Sequence, residues 1–270
     1  MSDCSGNCSS CSSDCKDRDM TLKQNDSSNI KKIYAVISGK GGVGKSSVTC
    51  LLASAMQKKG KKVAVLDADI TGPSVPKMFG IKDRAFTEDN LLLPAVSKNG
   101  TKVMSVNLLL ETDDTPVVWR GPVISGVIQQ FYTEVKWGDV DYMFVDMPPG
   151  TGDVPLTVFQ SLKVDGIIVV TTPQDLVGMI VAKAVNMAKI MNVPIVGLIE
   201  NMSYFTCDEC GKKHYIFGES KTASVAASQG LELLAELEIN PETPALADKG
   251  MIEDADTSSF DYVIDKLLGE

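Results

Sequence analysis

Short apolar runs alternate with stretches of helical spacing along most of this chain. "KIYAVIS" at 32–38 is rich in β-branched residues and is closed by glycines, which predicts a buried strand. "KSSVTCLLASAMQKKG" at 45–60 has helical spacing and a terminal glycine that serves as a helix stop. "KKVAVLDAD" at 61–69 is the next buried strand, and "TKVMSVN" at 101–107 a weaker one. A helix is expected in "PVISGVIQQFYTEV" at 122–135, then buried strands in "DYMFVDMPPG" at 141–150 and "DGIIVVTTP" at 165–173. "DLVGMIVAKAVNMAKIMN" at 175–192 predicts a further helix and "VPIVGLIEN" at 193–201 a further strand. "ESKTASVAASQG" at 219–230 and the C-terminal segment read as helices, and "LLLPAVSKNG" at 91–100 as a small hairpin. Strands and helices in alternation predict an α/β fold, a doubly wound and mainly parallel sheet covered on both faces.

Residues 1–29 break the pattern. They hold few apolar residues and many of Ser, Asp, Asn and Lys, so the expectation is a flexible, cysteine-rich arm followed by one domain over 30–270. With 270 residues, 44% hydrophobic and 23% charged, the chain has an ordinary globular mixture. No apolar run approaches the roughly 20 residues that span a bilayer. The polar start lacks the apolar core of a signal peptide, so a cytoplasmic location is the expectation. The formal charge is −9, with no basic stripe and an acidic last helix. Neither nucleic acid nor a membrane surface is therefore expected as a partner.

The candidate chemistry starts at "SGKGGVGKSS", residues 38–47. Gly39, Gly44, Lys45 and Ser46 fit G-x-x-x-x-G-K-[ST] at a strand-to-helix junction. Glycines let backbone N–H groups converge on phosphate oxygens, and a helix N-terminus adds favourable partial charge. The loop over Gly39, Lys40, Gly41, Gly42, Val43, Gly44, Lys45, Ser46 and Ser47 is thus expected to bind ATP or ADP. Lys45 would reach the β- and γ-phosphates, and the Ser46 hydroxyl would ligate Mg²⁺. Lys40 is a second lysine that a phosphate loop does not need, either a solvated loop residue or something more.

Acids stand at two strand ends, Asp67 and Asp69 in "VAVLDAD" and Asp146 in "YMFVDMPPGTGD". Ligands gather at the carboxyl ends of parallel strands, so these acids face the loop. Asp146 fits a carboxylate that holds Mg²⁺; helix capping is the alternative for all three. Asp153 reads as the N-cap of a helix starting at Val154. Asn201 follows a strand and suits a turn.

The seven cysteines are unevenly placed. Cys4, Cys8, Cys11 and Cys15 crowd the arm; Cys207 and Cys210 form a C-x-x-C whose flanks read as loop; Cys50 belongs to the apolar pattern of the first helix. Without an export signal such clusters point to metal or redox chemistry. One C-x-x-C supplies two ligands where a cluster or structural zinc takes four, and two copies about a twofold axis would supply four. His214, the single histidine, is a surface residue or a further ligand. Trp119 and Arg120 in "WRGP" would fix a loop.

"KGGVGKS" resembles the deviant phosphate loop of the MinD, ParA and nitrogenase iron protein group. That resemblance implies that Lys40 crosses a dimer interface to the partner's nucleotide, that Asp69 orients the attacking water, that Asp67 supports the metal, and that Asn201 reads the base. "DADITGPSVPKMFG", "WRGP", "QQFYTEVKWGDVDYMFVDMPPGTGD" and "ENMSYFTCDECGKKHYIFG" further resemble the Mrp, or ApbC-like, family of iron–sulfur cluster carrier ATPases, from about residue 31 to about 250. The family implies a homodimeric ATPase that bridges a [4Fe–4S] cluster between paired cysteines and exchanges it with cluster donors and apo iron–sulfur proteins. Two departures stand out. "ESKTAS" follows "IFG" where more glycines are expected, and the four N-terminal cysteines are closely spaced. Those four would hold a second cluster, zinc or no metal. Competing readings are a positioning ATPase of the MinD or ParA type, which leaves the C-x-x-C unexplained, and a targeting ATPase with a zinc-bridged dimer.

Overall fold

A computed structural model describes residues 21–70, 72, 74–110, 121–150, 152–173 and 177–269. Cys4, Cys8, Cys11, Cys15, Trp119 and Arg120 lie outside the described residues.

The strands are β1 (Ser28–Ser38), β2 (Val63–Asp67), β3 (Thr87–Glu88), β4 (Leu91–Leu92), β5 (Ala95–Val96), β6 (Lys102–Met104), β7 (Gly138–Asp146), β8 (Gly166–Thr171), β9 (Ile195–Thr206), β10 (Lys213–His214) and β11 (Leu233–Glu238). The helices are α1 (Lys45–Lys58), α2 (Val75–Met78), α3 (Gly121–Thr133), α4 (Asp153–Ser161), α5 (Val177–Met191), α6 (Thr222–Ser228), α7 (Glu242–Asp248) and α8 (Asp261–Leu268). Among the described residues, nine strands form one sheet in the order β10-β9-β8-β1-β7-β2-β6-β5, with β11 also paired to β9. Its centre is parallel, whereas β5 and β10 run antiparallel to their neighbours. This is the expected α/β doubly wound sheet.

The central strands carry apolar residues on both faces because both faces are covered. Ile33, Ala35 and Ile37 of β1 face a core shared with α3, α4 and α5, which contribute Ile128, Phe131, Val158 and Val181. Tyr34 and Val36 face the second core, where α1 packs with α8 through Val48, Leu52, Met56, Val263 and Ile264. A core side chain of this size stabilises the fold by about 1.5–3 kcal/mol when fully buried.

Several boundaries differ from the sequence expectation. Residues 21–29, read as part of the arm, are tied to the domain. The Gln24 side chain accepts from the Ile30 N–H at 2.9 Å, and Asn25 Nδ2 donates to the Thr133 and Val135 carbonyls. Asp153 is the first residue of α4, with Gly152 at the N-cap. The hairpin expected in 91–100 is two hairpins, β3–β4 across its start and β5–β6 across its end. β11 replaces part of the helical reading of the C-terminal third, because "LLAELE" pairs in parallel with β9.

Candidate functional site

The phosphate loop leaves the carboxyl end of β1 and turns into α1 at Gly44, whose φ of +77° is left-handed. That conformation costs a non-glycine residue about 1–2 kcal/mol. A Cβ here would also stand 2.3 Å from Asn201 Nδ2. Gly44 brings no capping side chain, so the first N–H groups of α1 stay available to an anion. Gly39 is held to glycine for another reason: a Cβ would lie 2.4 Å from Ile180 of α5.

Lys45 is only 6% exposed, and its ammonium donates to Asp146 Oδ1 at 2.5 Å. Ser46 Oγ donates to Asp146 Oδ2 at 2.6 Å, and Thr49 Oγ1 to Asp146 Oδ1 at 3.0 Å. Asp146 closes β7, and Asp67 is its register partner at the end of β2. Asp67 is buried and accepts from Ser105 Oγ at 3.1 Å and from the Asp69 N–H at 3.2 Å. Burial pushes its carboxyl well above the usual range, and the neighbouring Asp146 adds to this against the pull of Lys45. Asp69 and Lys40 line a cavity of about 240 Å³ over the loop, together with Gly41, Gly42, Ser46 and Ser47. The expected phosphate-site residues therefore converge on one place. A hydroxyl and two buried carboxylates beside a loop of open N–H groups form a hard-oxygen donor set of the kind that suits Mg²⁺.

A second cavity of about 330 Å³ borders the first, since Gly44 and Ser47 line both. Its walls include Asn201, Met202, Phe217, Glu238, Pro244 and Phe260. Asn201 Nδ2 donates to the Val43 carbonyl at 2.9 Å, and its Oδ1 accepts the Met202 N–H at 3.0 Å. Asn201 thus fastens the phosphate loop to β9 and borders the cavity at once. Sequence reading missed the walls from β11 and α7; the signal was "INPETP" at 239–244, a proline-bounded turn entering a short helix.

The C-x-x-C stands 6 residues further along β9 and its turn. Its flanks are strands, not loop: Cys207 follows β9, Gly211 donates to the Cys207 carbonyl at 2.8 Å, and β10 returns against Thr206 and Phe205. The backbone N–H groups of Cys210 and Glu209, and then the Cys210 thiol, hold the Cys207 thiol below its usual range. A lowered thiol favours the thiolate, the form that binds metal or attacks as a nucleophile. Cys210 is exposed, as is His214 on β10. Among the described residues no three His, Cys, Asp or Glu side chains gather as a metal set. The pair in one chain therefore offers two thiol ligands and falls short of a complete set. Cys50 is buried in α1, where desolvation raises its thiol well above the usual range, which makes it a packing residue.

Among the described residues no helix is long and apolar enough to cross a membrane. The ParA family model described as NUBPL iron-transfer P-loop NTPase matches residues 29–268. A protein of Methanocaldococcus jannaschii named iron-sulfur cluster carrier protein is 45% identical over 261 residues, covering 93% of this chain and 90% of the relative. The protein of the same name from Clostridium perfringens is 47% identical over 234 residues, covering 84% and 82%. Among solved structures, a nucleotide-binding protein of Archaeoglobus fulgidus in complex with ADP, with Co found in it, superposes with a TM-score of 0.78. It is 42% identical, and the match covers 86% of this chain and 91% of that one. The Mg-ADP complex of the septum site-determining protein MinD from Pyrococcus horikoshii matches with a TM-score of 0.59 at 18% identity, a likeness of fold covering 89% and 96%.

Proposed function

This chain belongs to the ParA/NUBPL family of iron-transfer P-loop NTPases, and from that premise we propose that it is an ATP-hydrolysing iron–sulfur cluster carrier. The observation that carries the proposal is the strand-flanked Cys207–Cys210 turn, with its thiol-directed N–H groups, in the same chain as a complete phosphate loop.

The triphosphate lies over Gly39, Lys40, Gly41, Gly42, Val43 and Gly44, against the open N–H groups of α1. Its base and ribose enter the adjoining cavity beside Asn201. Lys45 moves from Asp146 to the β- and γ-phosphates, exchanging one anionic partner for another. Ser46 and Asp146 would hold Mg²⁺, with Asp67 behind them, and the ion would supply charge neutralisation at the phosphates. Asp69 orients the water for in-line attack on the γ-phosphate, and Lys40 reaches the nucleotide of the second copy, where a cation stabilises the charge that develops on transfer.

The cluster is cargo. Two copies of the chain give four thiolates, Cys207 and Cys210 from each, around one [4Fe–4S] cluster. Release to an apo-protein is ligand exchange between thiolates. The arm cysteines Cys4, Cys8, Cys11 and Cys15 would supply four further thiolates, enough for a second cluster or for zinc.

Anaerobic transfer to a model apo iron–sulfur protein tests the reading. The reconstituted chain should transfer its cluster in an ATP-dependent manner, and Cys207→Ser and Cys210→Ser should each lose the transferable cluster. Stoichiometric zinc without iron or sulfide would favour the zinc-bridged targeting reading instead.

A further inference from the structure

The segment after the thiol turn does not end at β10. It runs on through a tight turn, where the Gly218 N–H donates to the Tyr215 carbonyl at 3.0 Å, and is anchored at Ser220, whose hydroxyl donates to Glu200 Oε2 at 2.6 Å. Glu200 is fully buried and immediately precedes Asn201. Residues 207–222 therefore form a strap fixed to β9 at both ends, at Phe205–Thr206 through β10 and at Glu200 through Ser220. Between the two anchors Phe217 lines the larger cavity while remaining 46% exposed.

A second connection runs beside the first. Thr206, the residue before Cys207, donates through Oγ1 to Glu238 Oε2 at 2.9 Å, and Glu238 lines the same cavity. The Ile239 N–H donates to the Tyr204 carbonyl at 2.7 Å, so this cavity wall is hydrogen-bonded to the strand that leads to Cys207. Tyr215 packs edge-on against Tyr204 with ring centroids 6.4 Å apart, which fastens the middle of the strap to the same strand.

We propose that Phe217 couples the two sites within one protomer: a purine nucleotide seated against its ring tightens the 215–222 limb of the strap, and through it and the Thr206–Glu238 bond restrains the Cys207–Cys210 turn. The proposal rests on the nucleotide-binding reading above but needs no second copy. An aromatic ring with half its surface in water has apolar area to lose when a base stacks on it. A ligand shifts a conformational equilibrium only by contacts it makes in one state and not the other, and Phe217 supplies such a contact. Phe217 is a positioning residue here, since it acts on the thiols through the strap.

The test is the iodoacetamide alkylation rate of Cys207 in the full, reduced, iron-free chain. It is followed by mass spectrometry at a concentration where the chain sediments as a monomer, with and without ADP, while ADP binding is measured separately by calorimetry. ADP should slow alkylation by about fivefold, the low end of ordinary coupling between sites. Phe217→Ala, at ADP levels that saturate it, and Thr206→Val, whose side chain lies outside the cavity, should each lose most of that protection. Should Phe217→Ala fail to bind ADP, Thr206→Val decides alone. An unchanged rate on adding ADP that calorimetry shows to be bound overturns the coupling, as does full protection retained in every variant that binds ADP. Failure of the wild-type chain to bind ADP would overturn the nucleotide reading itself, and the coupling with it.

Discussion

Asp146 is where the phosphate site concentrates its charge. It is fully buried, accepts from Lys45, Ser46 and Thr49, and has Asp67 as its register partner on β2. Burial, and after it the charge of the neighbouring Asp146, disfavours the ionised form of Asp67, which is why its carboxyl is raised. A carboxyl raised in the folded state stabilises the fold fully below its unfolded pKa, near the ordinary aspartate value of 3.8, and loses that contribution as pH rises toward its folded value. Asp67→Asn is therefore expected to raise Tm at pH 7 more than at pH 4; an equal change at both would contradict this linkage. Lys40→Ala should lower kcat for phosphate release about 10³-fold or more, the scale of a lost trans-acting cation, with ADP binding retained. Normal turnover in that variant would remove Lys40 from the chemistry. The loop was legible at this scale because its chemistry is local: the glycines, Lys45 and the Ser46 hydroxyl all fall between residues 39 and 46. The tie from Asn201 to Val43 was not, because it joins residues 158 apart, and Asn201, which the sequence placed in a turn after its strand, lies inside β9.

Among the elements, β9 links the sites. It borders the larger cavity at Asn201 and Met202, pairs with β8, β10 and β11, and ends one residue before Cys207. Its buried Glu200 accepts from Ser203 and Ser220, each at 2.6 Å, and from Thr222, so one carboxylate fastens the entry to α6. Glu200→Ala would strand three hydroxyls beside a cavity. It should cost roughly 2–4 kcal/mol in denaturant unfolding, and an unchanged midpoint would contradict the role assigned to it. The central strands were readable because burial on both faces writes unbroken apolar runs. β11 was not, since Leu, Ala and Glu favour helices by propensity and "LLAELE" becomes a strand only by pairing with β9, with irregular register at two points. β10 escaped for a similar reason: Lys213 and His214 are exposed and only two residues long, and the strand exists as the return limb of the thiol turn.

At the scale of the whole molecule, the sheet separates two cores and places every phosphate-site acid at strand carboxyl ends, as a parallel sheet requires. The alternation of apolar runs made that architecture legible before any coordinates. The incompleteness of the thiol pair was legible too, because two ligands cannot close a four-ligand cluster. On the reading proposed above, a second copy of the chain closes it. Native mass spectrometry under anaerobic conditions tests this most directly, on a chain with Cys4, Cys8, Cys11 and Cys15 changed to serine and reconstituted with iron and sulfide. A dimer carrying one [4Fe–4S] cluster per two chains, lost in Cys207→Ser, is the expected result. A species that stays monomeric, or a dimer that retains no iron or sulfide, would contradict it.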